Sequence, residues 1–154
     1  MSVLSDEELD ETLLVSNYPQ FRLPPRFERF RRQQLLIAEQ SAALLSSGTD
    51  LVVVEALTGF GKSLLSVMIS QLMKCRLLMV VPRIDLQRQF LESFPQAKLL
   101  QGRTNFPHGG KDGRRDFPAV TCADCKGKHF CEQTGCDYQE AKSQFLGAQI
   151  GVTN

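Results

Sequence analysis

The chain has 154 residues, 42% hydrophobic and 23% charged, with a formal net charge of +1. That is enough for a globular domain with a core, and the near-neutral sum argues against contact with nucleic acid through overall basicity. No apolar run is long enough to span a bilayer, and the acidic start carries no secretory pattern, so the expected location is the cytoplasm, or the nucleus in a eukaryotic host.

Charge is unevenly distributed. Asp6, Glu7, Glu8, Asp10 and Glu11 make an acidic start, Arg22, Arg26, Arg29, Arg31 and Arg32 follow, and Arg103, Lys111, Arg114 and Arg115 form a second basic block. Taken alone, such runs read equally well as solvated faces.

In chain order, Ser5 and Glu8 make a capping-box pattern that predicts a short helix. "SNYPQFRLPPRF" is broken by prolines and predicts an extended linker. The spacing from Phe30 to Leu45 predicts a helix ended by "SSGTD". "LVVVEA" is a continuous apolar run and predicts a strand buried on both faces. "TGFG" is a turn, and the next helix places Leu64, Leu65, Met68 and Leu72 on one face. "RLLMVV" predicts a second strand, with Cys75 just before it read as a buried apolar filler. A helix with Leu86, Phe90 and Phe94 inward follows, then a strand over "AKLL". From Gln101 to about Thr134 no periodicity persists, and a stretch of that length needs another source of order. A helix with Tyr138, Ala141, Phe145 and Leu146 inward and a strand over "QIGVTN" complete the reading. The alternation of strands and helices predicts an α/β chain with a parallel sheet.

The sharpest local signal is "VVVEALTGFGKSLLS". Gly59 and Gly61 let the backbone curl so that successive N–H groups face phosphate oxygens. The helix that opens at Lys62 adds unsatisfied N–H groups and the positive end of its dipole. Lys62 is placed to reach the β and γ phosphates, and the Ser63 hydroxyl to ligate Mg²⁺. Ala56 stands where the strict pattern has glycine. With Thr58 and Phe60, these residues make the expected ATP cradle. Glu55 and Asp85 are poorly placed to serve as the acid that holds Mg²⁺ and water, and no arginine finger can be assigned. Binding with little turnover is therefore expected of the isolated chain.

Cys122, Cys125, Cys131 and Cys136 form C-x2-C-x5-C-x4-C. Two thiolates from one tight turn and two more close a four-sulfur shell, which on spacing alone favours zinc. His108 and His129 are secondary candidates.

The order of these features resembles the iron–sulfur DNA helicases of superfamily 2, the XPD/DinG-like branch of the DEAD/DEAH-box type. "FRRQQ" is similar to the entry motif of that family, which implies that Gln34 reads the adenine edge with Arg31 in support. "EALTGFGKSL" resembles its phosphate loop, "VVPRIDLQRQF" the motif whose turn touches single-stranded DNA, and "LLQGRTNFP" the lead into its iron–sulfur insertion. "CDYQEAK" and "AQIGVTN" are similar to the helix and strand that follow. The resemblance implies a RecA-like parallel sheet with helices on both faces, a partial first motor domain, interrupted by a cysteine-rich metal-binding insertion. It also implies a [4Fe–4S] cluster rather than zinc on the four cysteines, with zinc as the alternative. The first cysteine of the family falls where this chain has His108, so either Cys122 or His108 supplies the remaining ligand; the four-cysteine set is preferred.

The expected organisation is an N-terminal helix and linker over 1–25, a phosphate-loop half-domain over 26–100, an iron–sulfur-type insertion over 101–136, and a return helix and strand over 137–154. The expected function is the ATP-binding N-terminal portion of an ATP-dependent DNA helicase, not active alone, read as truncated before the acidic box or completed by a second half in trans. Its expected partner is single-stranded or forked DNA, met by Arg103 to Arg115 with Phe106 and Phe117, with no membrane contact. The alternative is a non-catalytic nucleotide- and DNA-binding module with a structural zinc loop. A phosphate-loop kinase with a zinc staple is the weakest reading.

Overall fold

The computed structural model describes residues 11–106 and 137–154. The helix expected at Ser5–Glu8, the four clustered cysteines, both histidines, Lys111, Arg114, Arg115 and Phe117 lie outside the described residues. The chain divides into two compact units, with the boundary between Leu77 and Leu78.

The first unit begins with a hairpin. Strand β1 (Thr12–Leu14) pairs antiparallel with β2 (Arg29–Arg31), with Thr12 opposite Arg31 and Leu14 opposite Arg29. Alternation along β2 turns Phe30 inward and leaves Arg29 and Arg31 exposed. The proline-broken stretch between the strands is packed rather than extended. Phe21 is buried, and the Tyr18, Phe21 and Phe30 rings meet with centroids 5.1 to 6.4 Å apart. Gln71 fastens this stretch by accepting from the Arg22 N–H at 2.9 Å and donating to the Arg22 carbonyl at 3.1 Å. An aromatic at every few positions supplies the burial that the prolines cannot supply through hydrogen bonds.

Helix α1 (Arg32–Ser46) follows β2 directly and ends at Gly48, whose φ of 97° suits a residue without Cβ. Its buried stripe is Gln34, Leu35, Ala38, Ser41 and Ala42. It packs against α2 (Lys62–Leu72), which buries Leu64, Leu65, Val67 and Met68. Each large side chain so buried contributes about 1.5–3 kcal/mol. The small residues of α1 let the two helices approach closely.

The strand expected over "LVVVEA" is not formed as a ladder. Residues 51–57 belong to neither sheet, and Leu51, Val53 and Leu57 are exposed. An apolar run becomes a strand only when another backbone takes its N–H and C=O groups, and no described strand pairs with it. Cys75, expected as a buried filler, is exposed at the end of α2. There Lys74 adopts φ 52° and the Cys75 N–H closes on the Ser70 carbonyl at 3.0 Å. That six-to-one closure turns the chain outward where the filler reading needed it to turn in.

The second unit is a three-stranded parallel sheet in the order β3–β5–β4, with β3 at Leu77–Val80, β4 at Lys98–Leu99 and β5 at Ile150–Thr153. The central strand is the buried one, with Ile150 and Val152 inside. Helix α3 (Ile84–Ser93) contributes Phe90, and Phe94 follows at its end, their rings 4.8 Å apart. Leu86, expected inward, is exposed, and Gln87 takes the buried position. Helix α4 (Asp137–Gly147) packs on β4 and β5 with Tyr138, Ala141 and Phe145 half-buried, while Leu146 is exposed. Phe145 lies against Gly151, where a Cβ would fall 2.6 Å from its ring. The whole is a mixed α/β chain, in keeping with a partial RecA-like domain.

Candidate nucleotide site

The turn before α2 has two left-handed glycines, Gly59 at φ 82° and Gly61 at φ 90°. A side chain at Gly61 would be strained by that backbone, and its Cβ would also fall 2.5 Å from Gln34 Nε2. Gly61 is the N-cap of α2 and offers no side-chain cap, and the Leu65 N–H donates to the Gly61 carbonyl at 3.0 Å. Among the described residues, the N–H groups of the first turn, at Lys62, Ser63 and Leu64, have no acceptor. Such orphaned donors at the positive end of a helix fit an anion.

Lys62 is exposed, and its ammonium bends back to donate to the carbonyls of Ala56 at 2.7 Å and Leu57 at 2.9 Å. Ser63 is exposed beside it. A triphosphate at the turn would offer the ammonium stronger, charged acceptors than these two neutral carbonyls.

Next to the turn lies a cavity of about 550 Å³, walled by Arg31, Gln33 and Ile37 on one side and by residues 55–60 on the other. Of the residues singled out by sequence, it brings together Arg31, Ala56, Thr58, Gly59 and Phe60. Gln34 stands behind that wall, 5% exposed. Its Oε1 accepts the Arg31 N–H at 2.9 Å, half of a capping box, and its Nε2 donates to the Phe60 carbonyl. The donor at Arg31 and the acceptor at Phe60 fix which end of the amide is which. Gln34 thus ties the start of α1 to the phosphate turn.

Sequence reasoning passed over Gln33 and Ile37 and set Glu55 aside, yet all three line the cavity. The signal for the first two was present. They sit four residues apart on α1, out of phase with its apolar stripe, so they share a face.

In the second unit, Asp85 pairs with Arg83 at 2.7 Å on the surface, at the first turn of α3. The hydrogen bond from Arg83, and then its charge, hold the Asp85 carboxyl below the usual carboxylate range. Arg103 lies over the Tyr138 ring at 5.1 Å, and Phe106 meets the same ring edge-on at 5.3 Å. Among the described residues no cluster of three or more His, Cys, Asp or Glu could hold a metal ion. No described helix is long and apolar enough to cross a membrane.

A family model described as "Type III restriction enzyme, res subunit", or ResIII, matches residues 27–142, which takes in β2, α1, the glycine turn and α2 through to α4. The chain belongs to the ResIII family. That membership makes it a superfamily 2 helicase-like domain of the ATP-dependent type. No curated protein and no solved structure matches the chain.

Proposed function

We propose that this ResIII domain is the ATP-binding part of an iron–sulfur-type DNA helicase. The observation that carries the ATP site is the glycine turn opening on three N–H groups with no acceptor among the described residues, with Lys62 beside them on two weak acceptors. In this reading the amides of Lys62, Ser63 and Leu64 and the Lys62 ammonium would hold the β and γ phosphates, and the Ser63 hydroxyl would hold Mg²⁺. Magnesium held at Ser63 would offset the charge of the phosphates. Ala56 and Phe60 flank the turn, and Arg31 supplies a cation at the far wall of the cavity. Gln34 holds the turn in shape through the Phe60 carbonyl.

The cluster reading rests on Cys122, Cys125, Cys131 and Cys136, whose spacing suits four thiolates on one centre, iron–sulfur in this proposal and zinc in its alternative. DNA contact is assigned to the basic block from Arg103 to Arg115. Support comes from Arg103 and Phe106, which meet at Tyr138, an aromatic and cationic pairing of the kind that meets single strands.

Calorimetry with Mg²⁺–ATP tests the nucleotide site. The wild-type chain should bind, and Lys62→Ala should not; equal binding by the variant would remove the site. Protein purified without oxygen should be brown and carry iron and sulfide, and a colourless, zinc-loaded sample would replace the cluster with the zinc alternative.

A further inference from the structure

We propose that the acidic run Asp6, Glu7, Glu8 and Asp10 seats on Arg31 at the mouth of the nucleotide cavity and competes with the triphosphate for it. The proposal rests on the nucleotide-site reading above and adds a regulator of that site, carried by the same chain.

The four carboxylates lie outside the described residues, but the residue they lead into does not. Glu11 is already seated on the basic block. Its carbonyl accepts the Arg32 N–H at 2.8 Å, and its carboxylate accepts the Arg32 Nε–H at 2.7 Å. This pair carries the β1–β2 ladder one step beyond Thr12 and Arg31. At that step β2 has given way to α1, so the backbone enters Glu11 beside the first turn of the helix. The wall there is Arg31, Gln33 and Ile37, one side of the cavity. Five extended residues reach about 17 Å, or about three turns of helix, so residues 6–10 are long enough to span that wall.

Charge decides what they meet. Arg32 is taken by Glu11. Arg31 is exposed, lines the cavity and has no ion pair among the described residues. The opposite wall carries Glu55, which repels a carboxylate. After Arg32, the cation next in the ladder from Glu11 is therefore Arg31, and a carboxylate held there stands at the mouth through which a triphosphate must pass. A single exposed ion pair is weak, but the segment is tethered, and its effective concentration stands in for affinity. Seated for about nine-tenths of the time, it lowers the apparent affinity for nucleotide about tenfold.

The test uses the whole 154-residue chain at about 0.15 M salt, where a Debye length of about 8 Å leaves mainly close contacts. Wild type and the variant Asp6→Asn/Glu7→Gln/Glu8→Gln/Asp10→Asn are titrated with Mg²⁺–ATP, with tripolyphosphate and with a short single-stranded oligonucleotide. The neutralised variant should bind ATP and tripolyphosphate several-fold to about tenfold more tightly. The same four changes in an Arg31→Ala background should give no gain, although Arg31→Ala itself weakens both ligands. Equal binding by wild type and the neutralised variant overturns the seat and leaves the phosphate site standing. A gain that survives Arg31→Ala also overturns it, because general repulsion rather than a seat on Arg31 would then be at work. A gain for the oligonucleotide alone, lost with Arg31→Ala, assigns Arg31 to nucleic acid and overturns the competition. Failure of both chains to bind either phosphate ligand overturns the nucleotide site and this regulator with it.

Discussion

Two passages of the chain run from an apolar stretch through a short turn into a helix, and they finish differently. "LVVVEA" leads through residues 57–61 into α2, and "LLMVV" leads through Pro82 and Arg83 into α3. The second apolar stretch is a ladder strand, with β3 in the sheet and the Val81 N–H on the Thr153 carbonyl at 2.8 Å; the first is in no sheet. In both, a buried glutamine donates to a carbonyl of the turn, Gln34 to Phe60 and Gln87 to Val81. The helix starts are opposites. α2 opens on orphaned amides with a lysine beside them, whereas α3 opens with Asp85 in its first turn, closed on Arg83. The same local grammar therefore yields one turn open to an anion and one whose own carboxylate already stands at the helix start.

The largest effect that sharpens this contrast is at Lys62. Lys62→Ala should lose ATP binding by calorimetry, since charge-assisted bonds of this kind contribute about 1.5–3 kcal/mol each. The fold should survive, because the lysine is exposed and holds only the Ala56 and Leu57 carbonyls. A variant that still binds ATP would make the two turns equivalent and break the comparison.

Gly61→Ala comes next. The positive φ costs a side chain about 1–2 kcal/mol, and the new Cβ meets Gln34 Nε2. Thermal melting should show a lower Tm together with weaker ATP binding. The double variant Gly61→Ala/Gln34→Ala should be more stable than the sum of the two single changes predicts, because the second removes the collision. Strict additivity would mean that Gln34 does not press on the turn.

The glutamines separate at smaller cost. Gln34 satisfies both amide ends, but Gln87 is fully buried and its Oε1 has no partner among the described residues. Gln87→Met frees the Val81 carbonyl and also removes the orphaned oxygen, terms of about 1–3 kcal/mol with opposite signs, so the net change in denaturant midpoint should be small. Gln34→Met removes two bonds and relieves nothing, and should cost about 2–4 kcal/mol. Equal losses would show that the Gln87 oxygen is satisfied in solution, by water for example.

How far the sequence could be read follows the same division. The glycine turn was legible because its geometry is local: two glycines at fixed spacing before a helix specify a left-handed backbone by themselves. So was the helical face at Leu64, Leu65 and Met68, where periodicity and burial agree. "LVVVEA" misled because a run of valines states only the capacity to pair, and pairing depends on distant backbone. Gln87 was invisible for a related reason. A polar residue reads as solvated unless something shows that the Val81 carbonyl waits beneath it.

The smallest effect belongs to Asp85. Its carboxyl is held below the ordinary range by the hydrogen bond and charge of Arg83. A depressed carboxyl stabilises the fold above its unfolded pKa and loses that contribution as pH falls through its folded value. The pair is well exposed, with side-chain exposures of 71% and 60%, so solvent screens it. Asp85→Asn should leave Tm unchanged at neutral pH, and acid melting curves should shift only marginally. Removing the charge should not turn the start of α3 into a second phosphate site either, since that turn has no left-handed glycine to aim its amides and no lysine beside them. Tripolyphosphate binding by Lys62→Ala/Asp85→Asn should remain absent. Binding restored there would mean that repulsion by one carboxylate, rather than the shape of the glycine turn, distinguishes the two helix starts.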